Sequence, residues 1–134
     1  ADIEMVDNIL QTLPFFEEKP KGLITSIAKV VEFEEMLAHQ SVFKLGDPGD
    51  LFYIILLGSV EVWLHGGEAM NEVPVARLES GKTFGDLALI DNTRRTATIK
   101  CTDNCYFMTL SRENYEATLL QFSKETLAAN SVWL

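Results

Sequence analysis

The sequence predicts an α+β fold in which about eight short strands form a jelly roll or barrel sandwich, with helices at the N- and C-terminal ends. Apolar residues recur at helical spacing only near the two ends of the chain. Between these ends lie short stretches with strand-like apolar patterns, separated by glycine-containing turns. Short, evenly spaced strands are typical of jelly rolls and barrels. Helices confined to the two ends of a β region place the chain in the α+β class.

The N-terminal segment is predicted to form two helices. The first covers residues 2–10, where apolar residues recur three or four positions apart and Asp2 is a candidate N-cap. The segment Leu13–Phe16 contains a proline, which ends this helix. Pro20 suits the first turn of a second helix, because an amide donor is not needed there. The apolar face of that second helix comprises Leu23, Ile24, Ile27 and Val30.

About eight short strands are predicted between the helices, from apolar runs bounded by turn residues. Gly46–Asp50 is the densest turn signal. The last two strands are predicted to pair as a hairpin around Thr102–Asn104. Ser111 is a candidate N-cap for a C-terminal helix, and residues 124–134 are a candidate for a final short helix. The clearest strands cover residues 31–36, 41–45, 51–57, 59–65, 73–78, 95–101 and 105–110.

Composition limits the domain count and the function classes. The 134 residues include 20 acidic and 11 basic side chains, which gives a net charge of −9. A chain of this length forms one domain with a sizeable core, so residues 1–134 are predicted to be a single domain. An acidic chain repels the phosphate backbone, so no nucleic acid partner is expected. No apolar run approaches the roughly 20 residues that span a bilayer, so direct membrane insertion is not expected.

Cysteine and histidine usage argues against a metal-dependent enzyme. Cys101 and Cys105 do not have the spacing of a zinc knuckle, and His39 and His65 lie far from them in sequence. The two histidines also lack the H-x-H arrangement by which cupin-type rolls hold a metal. We therefore expect no cofactor and no catalytic activity in this chain. The two cysteines are expected to be ordinary thiols of a cytoplasmic protein.

The stretch Phe84–Thr98, which reads FGDLALIDNTRRTAT, is the strongest candidate for a binding site. Gly85 lets a ligand approach the backbone where the chain enters a short helix. The free amides at the start of that helix, including those of Leu87 and Ala88, are natural anion donors. Asp86 only accepts hydrogen bonds when ionised, which suits a ligand hydroxyl rather than a phosphate.

Arg95 completes this pattern with a planar fork of donors and a permanent charge, which match the oxygens of a phosphate. The alternative is a surface pair between Asp86 and Arg95, which would contribute only ~0–1 kcal/mol. The combined order of glycine, acid, apolar turn, polar loop, arginine and strand favours the binding site. The expected ligand is a compact phosphate attached to a sugar.

The same stretch resembles the phosphate-binding cassette of cyclic-nucleotide-binding domains, whose usual form is F-G-E-L-A-L-(I/M)-x-x-x-P-R-A-A-T. A second segment, Gly46–Ile55, is similar to the G-D-x-G-D-x-x-Y-I-I turn and strand of that family. The resemblance covers the whole chain. It implies an eight-stranded β jelly roll with flanking N- and C-terminal helices and a short phosphate-binding-cassette helix, in a fragment of a larger regulatory protein. The cassette match comprises Phe84, Gly85, Leu87, Ala88, Leu89, Ile90, Arg95, Ala97 and Thr98.

The resemblance also implies a ligand, cAMP or cGMP, and a role for each matched position. Arg95 would pair with the cyclic phosphate, supported by the amides of Ala88 and Ala97. The acid at position 86 would accept the ribose 2′-hydroxyl, with the backbone of Gly85 nearby. A C-terminal helix closes over the base in this family. Either Trp133 or Leu134 would serve in that lid, or the two residues simply pack on the roll.

Three positions depart from the usual family pattern. Asp86 replaces a glutamate and is one methylene shorter. Losing a charge-assisted hydrogen bond of roughly 1.5–3 kcal/mol would weaken binding about 10- to 100-fold. Arg94 replaces a proline and adds a positive charge. Thr96 stands where many members have alanine, and it resembles the threonine that contacts the guanine 2-amino group in cGMP-dependent kinases and channels. Strand propensity alone would also explain a threonine there.

The leading functional hypothesis is a cyclic nucleotide sensing regulatory domain. Binding of cAMP or cGMP would move the terminal helices and shift an effector domain, in the same or a partner chain, between two states. The alternative is a degenerate domain that keeps the fold but acts as a non-binding scaffold or docking module. The shortened Asp86 and the acidic net charge favour that alternative.

Overall fold

The computed structural model describes residues 2–65 and 71–120. This part of the chain contains eight strands, four α-helices and one short 3-10 helix. The helices are α1 (Ile3–Thr12), the 3-10 helix (Pro14–Phe16), α2 (Lys21–Ala28), α3 (Leu87–Asp91) and α4 (Arg112–Thr118). The strands are β1 (Glu32–Met36), β2 (Ser41–Phe43), β3 (Leu51–Leu57), β4 (Ser59–His65), β5 (Glu72–Glu79), β6 (Thr83–Phe84), β7 (Thr98–Cys101) and β8 (Cys105–Ser111).

The strands form two antiparallel sheets of four strands each. The first sheet has the order β1-β8-β3-β6 and the second has the order β2-β7-β4-β5. Two packed sheets with helices at the ends of the chain are the predicted α+β jelly roll, so that prediction is confirmed. The candidate final helix at residues 124–134, with Trp133 and Leu134, lies outside the described residues.

The predicted hairpin between the last two strands is wrong. Strand β7 pairs with β2 and β4 in the second sheet, whereas β8 pairs with β1 and β3 in the first. The reason is the burial pattern of β8, whose Phe107 faces the space between the sheets while Met108 faces the helices. A strand buried on both faces belongs in the centre of the helix-covered sheet. The turn at Thr102–Asn104 therefore crosses from one sheet to the other.

The helices cover one face of the first sheet and enclose the first of two apolar clusters. Leu10 and Ile27, on α1 and α2, are fully buried there with Phe52 and Met108 of the sheet. Two predicted N-caps are confirmed. The Asp2 side chain accepts from the Glu4 amide at 3.0 Å, and the Ser111 hydroxyl accepts from the Asn114 amide at 3.2 Å.

A second apolar cluster lies between the two sheets and forms the floor of the candidate site. Its aromatic centre is Tyr53, which stacks on Phe84 with ring centroids 4.9 Å apart, while Phe107 meets both rings edge-on. Phe43 closes the end of this cluster that is nearest Arg95. None of the described helices is long and apolar enough to cross a membrane.

Candidate functional site

The site begins where the turn at residues 46–50 meets the segment that precedes β7. The Gly46 amide donates to the Arg95 carbonyl and the Arg95 amide donates to the Asp47 carbonyl, both at 2.8 Å. The same turn touches α3, because a Cβ built at Gly49 would lie only 2.3 Å from the Ala88 Cβ. Only glycine allows this close approach. The two motifs recognised in the sequence are therefore joined into one structural unit.

Gly85 provides the second close approach. Its φ of +93° is in the left-handed region, and a Cβ there would lie 3.0 Å from the Leu51 carbonyl oxygen and 3.1 Å from the Arg95 Nη1. A side chain at this position would therefore strain the backbone and crowd the guanidinium. The glycine leaves room for the arginine to reach the backbone at the start of α3.

Arg95 is the buried cation of the site, with only 4% of its surface exposed. Its Nη1 donates to the Gly85 carbonyl at 2.6 Å and its Nη2 to the Leu51 carbonyl at 2.7 Å. The guanidinium carbon lies 3.9 Å from the centre of the Phe43 ring, a cation–π contact. Two hydrogen bonds to carbonyls and one cation–π contact thus fix the position of the charged guanidinium.

Arg95 makes no ion pair with a carboxylate of the described residues, although the charges of Asp50 and Asp47 act on it from a longer distance. The two ion pairs found in the described part of the chain are both made by Arg77, to Glu79 and to Asp103. The buried Nε of Arg95 has no hydrogen-bond partner among the described residues. Burial lowers the pKa of the Arg95 guanidinium, although arginine stays protonated in proteins. A buried cation with a spare donor and no ion pair among the described residues is a candidate for binding an anion.

Asp86 lies directly before α3 and is half-buried. Burial raises the pKa of its carboxyl, while backbone amides, the Tyr115 hydroxyl on α4 and the charge of Arg95 act in the opposite direction. The side chain makes no capping hydrogen bond to the helix. The Asp86 carboxyl is therefore influenced both by groups of its own segment, Phe84–Thr98, and by Tyr115 of α4.

The remaining predicted site residues fall into two groups. Leu87 and Ala88 begin α3, whose first amides have no partner within the helix. Ala97 is buried against the cluster between the sheets, whereas Thr96 next to it is exposed. All seven predicted positions lie on the segment that joins β6 to β7.

Two residues of the site were missed in the sequence. Phe43 stacks on the guanidinium but is separated from Arg95 by more than fifty residues, and no local signal connects them. Arg112 donates to the carbonyls of Gly49 and Leu89, the latter at 3.2 Å. Its position directly after the predicted N-cap was the only available signal, since arginine is not typical of a helix start.

The fold and the site define a class of protein, a jelly roll with a buried arginine beside a short helix. Residues 33–122 match the family model described as "Cyclic nucleotide-binding domain". The match covers well over half of the chain, and the chain belongs to this family. The matched segments of its relatives are regulatory domains rather than catalytic ones, so this chain is a regulatory domain.

Individual relatives agree with the family assignment. A cGMP-dependent protein kinase of Plasmodium berghei (strain Anka) is 33% identical over 107 residues, which cover 80% of this chain and 12% of the kinase. The regulatory domain of Toxoplasma gondii PKA, solved with cAMP, has a TM-score of 0.87 at 21% identity, covering 96% of this chain and 50% of that one. The regulatory subunit of a cAMP-independent protein kinase A from Trypanosoma cruzi, solved bound to guanosine, has a TM-score of 0.88 at 22% identity, covering 98% and 47%. This chain therefore spans about an eighth of the kinase and about half of each solved chain.

Proposed function

We propose that this chain is a cytoplasmic cyclic nucleotide sensor domain that binds cAMP or cGMP and passes the binding event to an effector outside residues 1–134. Arg95 is the observation that carries the proposal. A guanidinium that is 4% exposed and makes no ion pair with any described carboxylate would be stabilised strongly by a ligand phosphate. The relatives named above include proteins solved with cAMP or named for cGMP dependence, which supports this ligand class.

The ligand would bind with its phosphate at Arg95 and its sugar at the start of α3. The phosphate would draw the guanidinium away from the carbonyls of Gly85 and Leu51, and the amides of Ala88 and Ala97 would support it. Asp86 would accept the ribose 2′-hydroxyl. Thr96, which is exposed and precedes β7, would contact the base.

Removing the charge of Arg95 tests the proposal. Arg95→Ala should weaken cyclic nucleotide binding by ~2–5 kcal/mol, because a buried charge pair is lost. Arg94→Ala is the matched control, since the Arg94 side chain is exposed and its Nη1 donates to the Gly46 carbonyl at 3.0 Å. We expect the control to change binding by less than about 0.5 kcal/mol. Calorimetry with cAMP and cGMP measures both, and equal affinities for wild type and Arg95→Ala would remove Arg95 from the site.

The second candidate function is a non-binding scaffold. The Tyr115 hydroxyl on α4 acts to lower the pKa of Asp86, which favours the scaffold because a carboxyl that interacts with α4 is less available to a ribose. Thermal unfolding with millimolar cAMP, cGMP, AMP and guanosine separates the candidates, since any ligand of the folded state raises the melting temperature. A shift with a cyclic nucleotide supports the sensor. A shift with guanosine alone would show a nucleoside site, and no shift with any of the four would leave the scaffold.

A further inference from the structure

One side chain of the second sheet reaches the segment Phe84–Thr98 from a distant part of the sequence. Glu72, the first residue of β5, accepts a hydrogen bond from the Thr98 hydroxyl at 2.8 Å. Thr98 is the last residue of that segment and the first of β7, and only 2% of its surface is exposed. A buried hydroxyl needs hydrogen-bond partners, and the Glu72 carboxylate is one of them.

The strand register shows that sheet pairing alone does not explain this bond. In the second sheet β4 lies between β5 and β7. Trp63 of β4 pairs with Thr98 on one side and with Pro74 of β5 on the other. Two strand spacings, or roughly 10 Å, therefore separate β5 from β7. The half-buried Glu72 side chain spans the width of β4 to reach the Thr98 hydroxyl.

The Thr98 hydroxyl extends this connection to a third part of the chain. A hydroxyl has one hydrogen, so donating it to Glu72 leaves the oxygen lone pairs free to accept. The oxygen accepts from the Leu45 amide at 2.9 Å. Hydrogen bonds in such a chain polarise one another, so a hydroxyl that donates to a carboxylate is a better acceptor. Glu72 and the backbone of Leu45 are therefore joined through one buried oxygen.

Leu45 directly precedes the turn at residues 46–50, which is bonded to the backbone of Arg95. The Gly46 amide donates to the Arg95 carbonyl and the Arg95 amide donates to the Asp47 carbonyl, both at 2.8 Å. A displacement of Leu45 would therefore move the partners of the Arg95 backbone. The direction of the guanidinium depends on that backbone, so the connection that begins at Glu72 ends at the buried cation.

We propose that Glu72 is a positioning residue for the nucleotide site, which holds the turn at residues 46–50 against Arg95 through the Thr98 hydroxyl. This role rests on the proposed binding of a phosphate at Arg95. Glu72 carries the same sign of charge as that phosphate, so its charge alone would weaken binding. Positioning and charge repulsion therefore predict opposite effects when Glu72 is removed, and this difference makes the proposal testable.

The test measures cAMP and cGMP affinity by calorimetry for two variants of Glu72. Glu72→Ala should weaken binding about 3- to 10-fold, the effect of losing one ordinary hydrogen bond. Glu72→Gln keeps an acceptor oxygen and removes the charge, so it should bind at least as tightly as wild type. The matched control is Glu79→Ala, at the other end of β5, where the exposed carboxylate pairs with Arg77 at 3.6 Å. This control should stay within about twofold of wild type.

A double-variant cycle and amide exchange test the route through Thr98. Thr98→Val removes the hydroxyl with little change of shape and should weaken binding as Glu72→Ala does. The two changes combined should weaken binding no further, because they break one connection. In the ligand-free protein, Glu72→Ala should speed hydrogen exchange at the Gly46 and Arg95 amides relative to the amides of β3, which report global unfolding. Glu72→Gln should leave this exchange unchanged, and thermal unfolding checks that each variant is folded.

Three binding results would overturn the proposal. Glu72→Ala binds as tightly as wild type or more tightly, which would show that charge repulsion outweighs positioning. Glu72→Gln binds as weakly as Glu72→Ala. The losses from Glu72→Ala and Thr98→Val add up in the double variant, which would show two separate routes.

The exchange measurement separates this proposal from the proposed function. If wild type binds neither cyclic nucleotide, the proposed function fails. Unchanged exchange at the Gly46 and Arg95 amides in Glu72→Ala would then overturn the role of Glu72 as well. Faster exchange at these two amides would still show that Glu72 holds the turn at residues 46–50 against Arg95.

Discussion

Replacing Gly49 with alanine tests the contact between the turn at residues 46–50 and α3. The new Cβ would lie 2.3 Å from the Ala88 Cβ and 3.4 Å from the Arg95 Cζ. Carbon atoms in favourable contact are about 3.5–4.0 Å apart, so the overlap with Ala88 exceeds about 1 Å. Both Cβ atoms are attached directly to the backbone, so only a shift of the turn or of α3 relieves the clash. Such overpacking costs about 1–3 kcal/mol.

The expected result of Gly49→Ala is a lower melting temperature together with weaker nucleotide binding. With an unfolding entropy of about 2.1 cal/mol/K per residue, a cost of 1–3 kcal/mol corresponds to a decrease of about 4–11 °C. Binding should weaken as well, because the shift displaces the start of α3 relative to Arg95. Scanning calorimetry and titration calorimetry measure the two effects.

Two further variants control the Gly49 experiment. Gly22→Ala introduces the same methyl group in α2, where no atom lies within 4 Å, and it should leave stability unchanged or raise it by up to about 1 kcal/mol. Adding Ala88→Gly to Gly49→Ala removes the clashing atom and should recover part of the lost affinity. If Gly49→Ala has the melting temperature and the nucleotide affinity of wild type, the turn at residues 46–50 does not pack against α3, and the geometry described for the site is wrong.

Three more predictions concern the cassette. Asp86→Glu should strengthen cyclic nucleotide binding, by up to about 100-fold if it restores a charge-assisted bond to the ribose; weaker binding in calorimetry would mean that the pocket is adapted to aspartate. Thr96→Ala should weaken cGMP binding more than cAMP binding, and equal losses would leave Thr96 without a part in base choice. Burial raises the pKa of Asp86 in the folded state, so the native state holds this proton more tightly and stability falls as pH rises from the ordinary aspartate pKa through the raised one. Asp86→Asn should therefore be more stable than wild type at neutral pH but not below the ordinary aspartate pKa, and parallel melting curves at all pH values would contradict this.

The two sequence motifs were recognisable because each is local, and the structure brings them together around Arg95. The cassette glycine and arginine lie on one connection between strands, and the glycines of the turn at residues 46–50 mark where the backbone must approach another element closely. Gly49 illustrates this, because its contact with Ala88 requires a residue without Cβ. Turn chemistry of this kind is encoded in a few neighbouring residues.

Strand pairing could not be predicted in the same way. The strands β7 and β8 are close in sequence and separated by turn residues, which normally indicates a hairpin. The pairing was decided instead by burial on both faces of β8, which depends on the helices near the N-terminus. The stacking of Phe43 on Arg95 is likewise a result of tertiary packing across the roll. Neither contact has a signature within a short window of sequence.

Hydrogen bonds to the backbone of residues 49–51 connect Arg95 to the start of α4. Arg95 donates to the Leu51 carbonyl at 2.7 Å. Arg112, the first residue of α4, donates to the carbonyls of Gly49 and Leu89. The two guanidinium charges repel, which contributes to lowering the pKa of Arg95. An anion bound at Arg95 would offset that repulsion and compete with the Leu51 carbonyl for the same donor. Anion binding at Arg95 would therefore alter the forces on α4, which is the physical requirement for a domain that reports its ligand to an effector.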